Sequence, residues 1–576
     1  MLAAVGFGAS AGCLEHDQPS EGLIEEVILA SEPDGFSATV ALVDADGGAL
    51  HPVHANLTPT GSVVLVGKHG NAGLLTTAQR ASTPASIALQ RLTPAVEIPP
   101  FTVFGDTTVS DLLFCAGHTQ LADGSFFTVG GTRAYDSAAG DDYVMGTDYG
   151  TRLDGSTWTR TTSRMVVPGP VSIGRWYAQA TRLSDKRVLV TGGWDMPFYT
   201  PANGPTQAGT HNISAEVYDP ATGQFSALTD LANTPAALFN RDYTHAFVLP
   251  TGTDDGMAFG ESSAPIMWKL DRPGVWNVRM VPRPGNVLRG DGTSVMTPND
   301  GTSSTLLPIR RSNGQWGYAN GSVLFAGGAR STANEHAIDV YDPVANRWCA
   351  RPTGSSCATT RIEMEVRRHH PSTLVLPDGR MLVIAGHDDS LSSGDRICRA
   401  VYVDPARGFA LTEGVSAMGE VRGYHTVTLL LPDGRVLVGG GRSGGPEVAE
   451  DERADLRYYS PSYLQPSRIA TRPVITSSPS ILRHGTGSLG TIKVTGEVTE
   501  AVLIGLGSMT HSFDSNQRYV QLGTTVTPTG ATTSTLTISG PIDARSAPAG
   551  YYMLFVLDRA RTPSVAKIVR VCGAQC

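Results

Sequence analysis

A chain of 576 residues with 40% hydrophobic and 17% charged side chains is too long for one simple core, so it reads as two or more globular domains and not as a disordered chain. Its formal charge of -9, with no Lys/Arg run long enough to track a phosphate backbone, excludes a nucleic-acid binder. No apolar run approaches the roughly 20 residues needed to span a bilayer.

The N-terminus, MLAAVGFGASAGC, turns abruptly polar at Leu14-Glu15-His16-Asp17. Small residues leading into Cys13 resemble the tail of a bacterial lipoprotein signal, in which that cysteine would carry a lipid anchor; a frayed terminus with a chance Cys is the alternative. Residues 1–25 are assigned to this leader and a linker, and the protein is expected outside the cytoplasm: secreted, periplasmic or lipid-anchored at the surface. The 65 Gly and 37 Pro lie among plentiful Thr and Val, a mixture that predicts short strands and tight turns, hence an all-β fold.

One pattern then recurs: a strand, a turn at Asp-Gly or a similar pair, a second apolar strand, then glycines. It appears as ANLTPTGSVVLVGKHG from Ala55, AGHTQLADGSFFTVGG from Ala116, AQATRLSDKRVLVTGG from Ala178 and THAFVLPTGTDDGMAFG from Thr244. A weaker copy, ANGSVLFAGG, starts at Ala319, and clear ones follow from Pro371 and Thr426. Each copy reads as a hairpin whose turn takes positive φ at both residues of the pair. Outer strands are marked by VYDP at Val217 and Val340, with Phe225 and Trp348 downstream. Seven copies point to radial repetition, a seven-bladed kelch-type β-propeller over residues 26–470.

The pattern stops after about Leu464. Residues 471–576 read as a fresh all-β unit sized like an immunoglobulin-like β-sandwich, ending in YYMLFVLD and PSVAKIVRV. The seven cysteines suit an extracytoplasmic protein. Cys349 with Cys357 and Cys572 with Cys576 are candidate bridges, Cys398 has no evident partner, and the connectivity stays open.

Stepping back eight residues from the Asp or Thr of each turn reaches Cys115, Tyr177, Tyr243, His370 and His425, with Tyr424 one further back. The first copy has Pro52 there and the weak copy Ser312. Equivalent positions of a propeller lie at equal height around its axis, so five metal-binding or redox side chains converge on one mouth. A Cys with two Tyr and a His matches no zinc convention, whereas phenolate with imidazole suits Cu(II).

FCAGHTQLADG around Cys115, GRWYAQATRLSD around Tyr177, RGYHTVTLLLPDG around Tyr424 and GSMTHSFDSNQRYVQL around His511 resemble the galactose oxidase and glyoxal oxidase family of copper radical oxidases, over residues 50 to 571. The resemblance implies one copper held by Tyr177, Tyr424, His425 and His511, with Tyr177 joined to Cys115 by a self-generated thioether that carries a radical. Tyr424 would act as general base. Substrate would be a small aldehyde, primary alcohol or carbohydrate, with O2 as oxidant and H2O2 as product, and the glyoxal-oxidase-like members are favoured. Trp194 lies near where the family places an indole over the crosslink. Tyr243 and His370 are candidate substrate contacts. Arg175, Arg241 and Arg368, each two residues before a register position, either bind an anionic substrate group or brace blades. A monomer suffices to complete such a site.

Two other readings compete. A non-catalytic kelch propeller acting as a binding or adhesion module would keep the hairpins but has no use for the Cys, Tyr, Tyr-His and distal His together. A simple metalloenzyme using His370, His425 and His387 would leave Cys115 and both tyrosines without a role.

Overall fold

A computed structural model describes residues 34–573 except 68–71, 82–83, 95–100, 104–105, 110–112, 136–143, 164, 166–173, 196–198, 201–203, 206–209, 212–214, 228–242, 251–255, 260–264, 269–275, 279–300, 313–314, 318–320, 329–335, 350, 354–355, 359–361, 389–397 and 443–451. The leader and Cys13 therefore lie outside the described residues. The fold is all-β: strands dominate, and the two α-helices among the described residues are Thr77–Ala81 and Pro466–Ile469.

One antiparallel order of four strands recurs seven times among the described residues. The first strands are Pro52–Leu57, Gly117–Gln120, Gln179–Arg182, His245–Val248, Ser303–Leu306, Ser372–Val375 and Thr426–Leu430. Gly117–Gln120 lies beside Gln179–Arg182, which lies beside His245–Val248; Ser303–Leu306 lies beside Ser372–Val375, then Thr426–Leu430, then Pro52–Leu57. In the last unit the outer strand comes from the other end of the chain, Val40–Val43 pairing antiparallel with Asp455–Ser460. That pairing ties the start of the repeat region to its end.

The turns differ from the sequence expectation in one detail. Leu121, Leu183, Leu376 and Leu431 each donate N–H to the carbonyl four residues on, and accept from the residue three on. These are three-residue loops in which only the third residue has positive φ: Gly124 (93°), Gly379 (78°), Gly434 (92°) and, where no glycine stands, Lys186 (77°). The aspartate before it caps the loop instead: Asp123, Asp185, Asp378 and Asp433 each accept the N–H two residues on. A type I turn closed by a left-handed residue needs one positive φ, not two.

Second strands such as Val63–Gly67, Val188–Thr191 and Met381–Ile384 are apolar and wholly buried. First strands are buried too, yet several are polar, as in Gly117–Gln120 and Gln179–Arg182. Some of their side chains bond to other segments: Gln120 donates to the Leu57 carbonyl at 2.9 Å and Thr119 to Asn516 Oδ1 at 3.0 Å.

The C-terminal unit packs a four-stranded sheet (Val474–Ser477, Ser488–Thr495, Thr533–Ser539, Gly523–Pro528) on a five-stranded one that includes Glu500–Gly505, Gly550–Leu557 and Lys567–Cys572. Ile492, Val494, Leu503, Leu536, Leu554 and Val569 fill the space between them. The segment after Glu500–Gly505 leaves this unit. Its strand Ser508–Thr510 pairs antiparallel with Pro52–Leu57, and Phe513 lies beside Ser304. His511 is carried into the ring of first strands by that excursion.

Candidate metal centre

The register inferred from the repeat is a shared backbone conformation. Cys115 (φ 59°), Tyr177 (63°), Tyr243 (46°), His370 (53°) and His425 (67°) are all left-handed, as is His511 (44°). Such a residue costs roughly 1–2 kcal/mol without glycine, and it turns the side chain out of the strand direction. Hydrogen bonds link the positions around the ring: Tyr177 N–H to Cys115 O and Tyr243 N–H to Tyr177 O, both 2.9 Å, and His370 N–H to Gly301 O at 2.8 Å. Gly301 (φ 85°) stands two residues before Ser303–Leu306, so it, and not Ser312, takes the register place in the fifth unit. A long connection between the first and second strands of that unit broke the eight-residue count. Ser312 lies in a separate hairpin, Arg310–Ser312 with Gln315–Gly317.

The arginines two residues before these positions are braces. Arg175 is fully buried, donating to Glu216 Oε1 at 2.7 Å and to Gly192 O at 2.8 Å. Arg368 likewise donates to Ala385 O, and Arg422 to Gly440 O and Glu420. Each ties the strand entrance to the glycine-rich exit of the same hairpin. Arg241 lies outside the described residues.

Above these braces Cys115, Trp176, Tyr177, Tyr243 and Tyr424 form one buried cluster with Phe114 packed against it. The Tyr177 and Tyr424 hydroxyls are hydrogen-bonded to each other. Tyr424 stacks on His425 with centroids 3.9 Å apart, and His511 meets His425 edge-on at 4.7 Å. Tyr243 stacks on His511 at 4.1 Å, and His370 approaches the Tyr424 ring at 5.0 Å. Cys115, Tyr177, Tyr243, His370, Tyr424, His425 and His511 are therefore brought together, and the remaining sequence-selected site residue is Trp194. Its strand pairs with Thr210–His211, and its side chain lies outside the described residues. The indole stacked on Tyr177 is that of Trp176, at 3.6 Å and 14°. The signal was present in the RWY triplet, but an aromatic next to a functional residue normally points away from it, and only the left-handed turn at Tyr177 folds the two rings together.

The hydrogen bonds fix both imidazoles. Thr510 Oγ1 gives its one proton to Val53 O at 3.1 Å, so it accepts from His511 Nδ1 at 2.6 Å. The other ring nitrogen, Nε2 of His511, is buried without a hydrogen-bond partner. His425 Nδ1 lies 2.7 Å from Glu452 Oε1, leaving Nε2 as its lone-pair nitrogen. Ligand atoms of Cys115, His425 and His511 lie within 4.8 Å of one another. Burial, with His425 and His54 nearby, holds His511 neutral, well below the usual imidazole range. Burial, reinforced by Cys115 and Tyr424, pushes the Tyr177 phenol well above its usual range. Two imidazoles and two phenols are a donor set suited to a divalent copper ion.

His369, His370 and His387 form a second buried group, with His369 Nδ1 3.2 Å from His387 Nε2. Among the described residues it is not the set whose ligand atoms converge, which disfavours a centre built from His370, His387 and His425. Residues that sequence reading missed are Trp176, Glu452, Arg442, Thr510 and His54, whose Nε2 accepts the Cys115 N–H at 3.1 Å. Glu452 gave no signal because it is one of several acids in a run without repeat. Cys349, Cys398 and Cys572 are disulfide-bonded, so Cys398 does have a partner, while Cys115 is a buried thiol.

Residues 472–571 match the domain family described as galactose oxidase-like, Early set domain. A galactose oxidase of Gibberella zeae is 26% identical over 484 residues, covering 80% of this chain and 61% of that protein. The chain thus spans about three fifths of the galactose oxidases it matches. The aldehyde oxidase GLOX of Vitis pseudoreticulata is 27% identical over 69% of this chain and 72% of its own length. A fungal alcohol oxidase solved in complex with copper shares the fold, with a TM-score of 0.63 at 18% identity over 94% of this chain and 99% of that one. Residues 472–571 thus match the galactose oxidase-like early set domain, and the chain as a whole is similar to galactose oxidases and to aldehyde oxidases of the GLOX type.

Proposed function

We propose that this chain is a copper radical oxidase that oxidises an aldehyde or a primary alcohol with O2 and releases H2O2. The observation that supports it most is the joint burial of Tyr177, Tyr424, His425, His511 and Cys115 in one contact group. In this reading the seven four-stranded units are blades of a kelch-type propeller spanning residues 26–470, closed by Val40–Val43. Residues 471–576 form the immunoglobulin-like domain, and the protein acts outside the cytoplasm as a monomer. No helix among the described residues is long and apolar enough to cross a membrane.

Tyr177, Tyr424, His425 and His511 would hold the metal. Copper, when bound, would supply a one-electron acceptor and polarise the substrate oxygen. Removing two electrons and two protons from R–CH2OH needs a second acceptor, which Tyr177 would supply as a radical delocalised onto a Cys115 sulfur substituent. Tyr424, hydrogen-bonded to Tyr177, would take the hydroxyl proton as phenolate, and Tyr177 the hydrogen of the reacting C–H. Dioxygen would accept the two electrons and two protons as H2O2. Trp176 covers one face of the Tyr177 ring, where it would shield the unpaired electron from water. Tyr243 and His370 would contact the substrate.

The crosslink is the direct test. After aerobic copper loading and digestion, the Cys115 and Tyr177 peptides should appear joined, two hydrogens lighter than their sum. Recovery of Cys115 as an alkylatable thiol would sink the radical mechanism. A second reading follows from the convergence of Cys115 with both imidazoles, a thiolate copper site of two His and one Cys. It predicts intense thiolate-to-copper absorption and no linked peptide. Peroxide release from glyoxal, methylglyoxal, glycolaldehyde and galactose then ranks substrates.

A further inference from the structure

The two imidazoles of the centre are backed by different chemistry. Behind His511 stands a neutral hydroxyl, Thr510, already committed to Val53 O. Behind His425 stands a carboxylate, Glu452, whose side chain is 6% exposed and whose Oε1 also receives Arg442 Nε at 2.8 Å and Nη2 at 2.6 Å. Arg442 reaches further, its guanidinium carbon 5.2 Å from the Tyr424 ring centroid. An antiparallel bridge between Arg442 and Glu452 pins the two backbones together. The Glu452 backbone carbonyl is itself held by His51 Nδ1 at 2.7 Å.

We propose that Glu452 is a positioning residue, clamped by Arg442, that makes His425 the stronger electron donor of the two imidazoles. A carboxylate accepting the Nδ1 proton orients the ring, fixes Nε2 as the ligand atom and raises its basicity. Outer partners of this kind change metal affinity by about 10–100-fold. A hydroxyl accepting the same proton orients the ring of His511 but lends it no negative charge. Arg442 holds the carboxylate in place and prevents it from turning toward the metal as a competing ligand. Its position over Tyr424 couples the clamp to the proposed base as well. The proposal rests on the copper reading above.

The experiment measures copper affinity by chelator competition, together with the Cu(II) EPR spectrum, for the full chain and for E452Q, E452A and T510V. Expected is a loss of roughly 10–100-fold for E452A. E452Q, which keeps an acceptor without the charge, should lose nearly as much and shift the EPR parameters, and T510V should lose several-fold less. The Cu(II)/Cu(I) midpoint should rise in E452Q, by ~59 mV for each tenfold preferential loss of Cu(II). Should E452Q fold poorly because Arg442 is left unpaired, the double variant R442Q/E452Q removes both charges and should still show the weakened affinity and shifted spectrum. Wild-type affinity and spectrum in E452Q or in the double variant overturn the proposal alone. A wild-type chain that takes up no copper overturns the copper reading as well. A metal-free readout is the 15N spectrum of histidine-labelled protein. His425 should be the Nδ1–H tautomer in the wild type and mixed in E452A, and a mixed wild-type tautomer also refutes the clamp.

Discussion

Glu216→Ala tests whether the site rests on buried braces. Arg175 and Glu216 are both fully buried, and Glu216 Oε1 receives Arg175 Nε at 3.3 Å and Nη2 at 2.7 Å. Removing the carboxylate takes the counter-charge from a guanidinium that also donates to Gly192 O at 2.8 Å. Leaving one partner of a buried ion pair costs about 3–5 kcal/mol, most of it the penalty of an uncompensated charge. For a chain of this size that corresponds to a fall in Tm on the order of 2–5 °C, read by differential scanning fluorimetry at fixed protein concentration. Arg175 precedes Tyr177 by two residues, and the same peptide forms the Gly131 N–H to Arg175 O bond at 2.8 Å, so metal uptake should fall along with stability. The apolar double variant Arg175→Met/Glu216→Leu should recover most of the Tm, because it removes both desolvation penalties together. The reasoning is refuted if E216A melts with the wild type, or if the double variant is as unstable as the single one.

Acid should destabilise the fold through neutral buried histidines. Burial lowers both His118 and His245 from 6.5 to about 3, so below pH 6.5 the unfolded chain binds more protons than the folded one and stability falls as pH drops towards 3. At pH 5 each contributes ~2 kcal/mol of loss, partly offset by Asp514, which burial raises to about 6 and which therefore favours the folded state as pH falls from 6 towards 3.8. H245Q should narrow the Tm difference between pH 7 and pH 5, and an unchanged difference would count against this account. Gly440→Ala should be severely destabilising, since φ is 61° and a Cβ would lie 2.1 Å from Pro52 O; wild-type stability of that variant would contradict the close approach. Trp176→Ala should cost about 3–5 kcal/mol by opening a cavity. Trp176→Phe should fold but shorten the lifetime of the oxidised Tyr177 absorption in the copper-loaded protein, and an unchanged lifetime would remove the shielding role.

Much of the site was legible without coordinates because the repeat is a local code. An Asp-Gly turn fixes the hairpin, the hairpin fixes the register, and the register placed Cys115, Tyr177, Tyr243, His370 and His425 in equivalent positions that share one left-handed conformation. The count failed only where an irregular connection replaced the hairpin, so that Gly301 and not Ser312 holds the fifth place. His511 was legible through resemblance alone, because nothing in its local spacing ties it to the repeat.

Tertiary structure decided what depends on partners far apart in the chain. The Ser508–Thr510 strand pairs with Pro52–Leu57, more than four hundred residues away, and this pairing, with that of Phe513 and Ser304, brings His511 to His425. Trp176 stacks on Tyr177 because ring stacking follows from backbone turns, which residue spacing does not encode. The partners of the two imidazoles, Glu452 and Thr510, are single hydrogen bonds within 3 Å, and no periodicity marks them. Sequence alone thus determined the strands, the turns and the residues capable of the chemistry. The folded chain determined which of them touch.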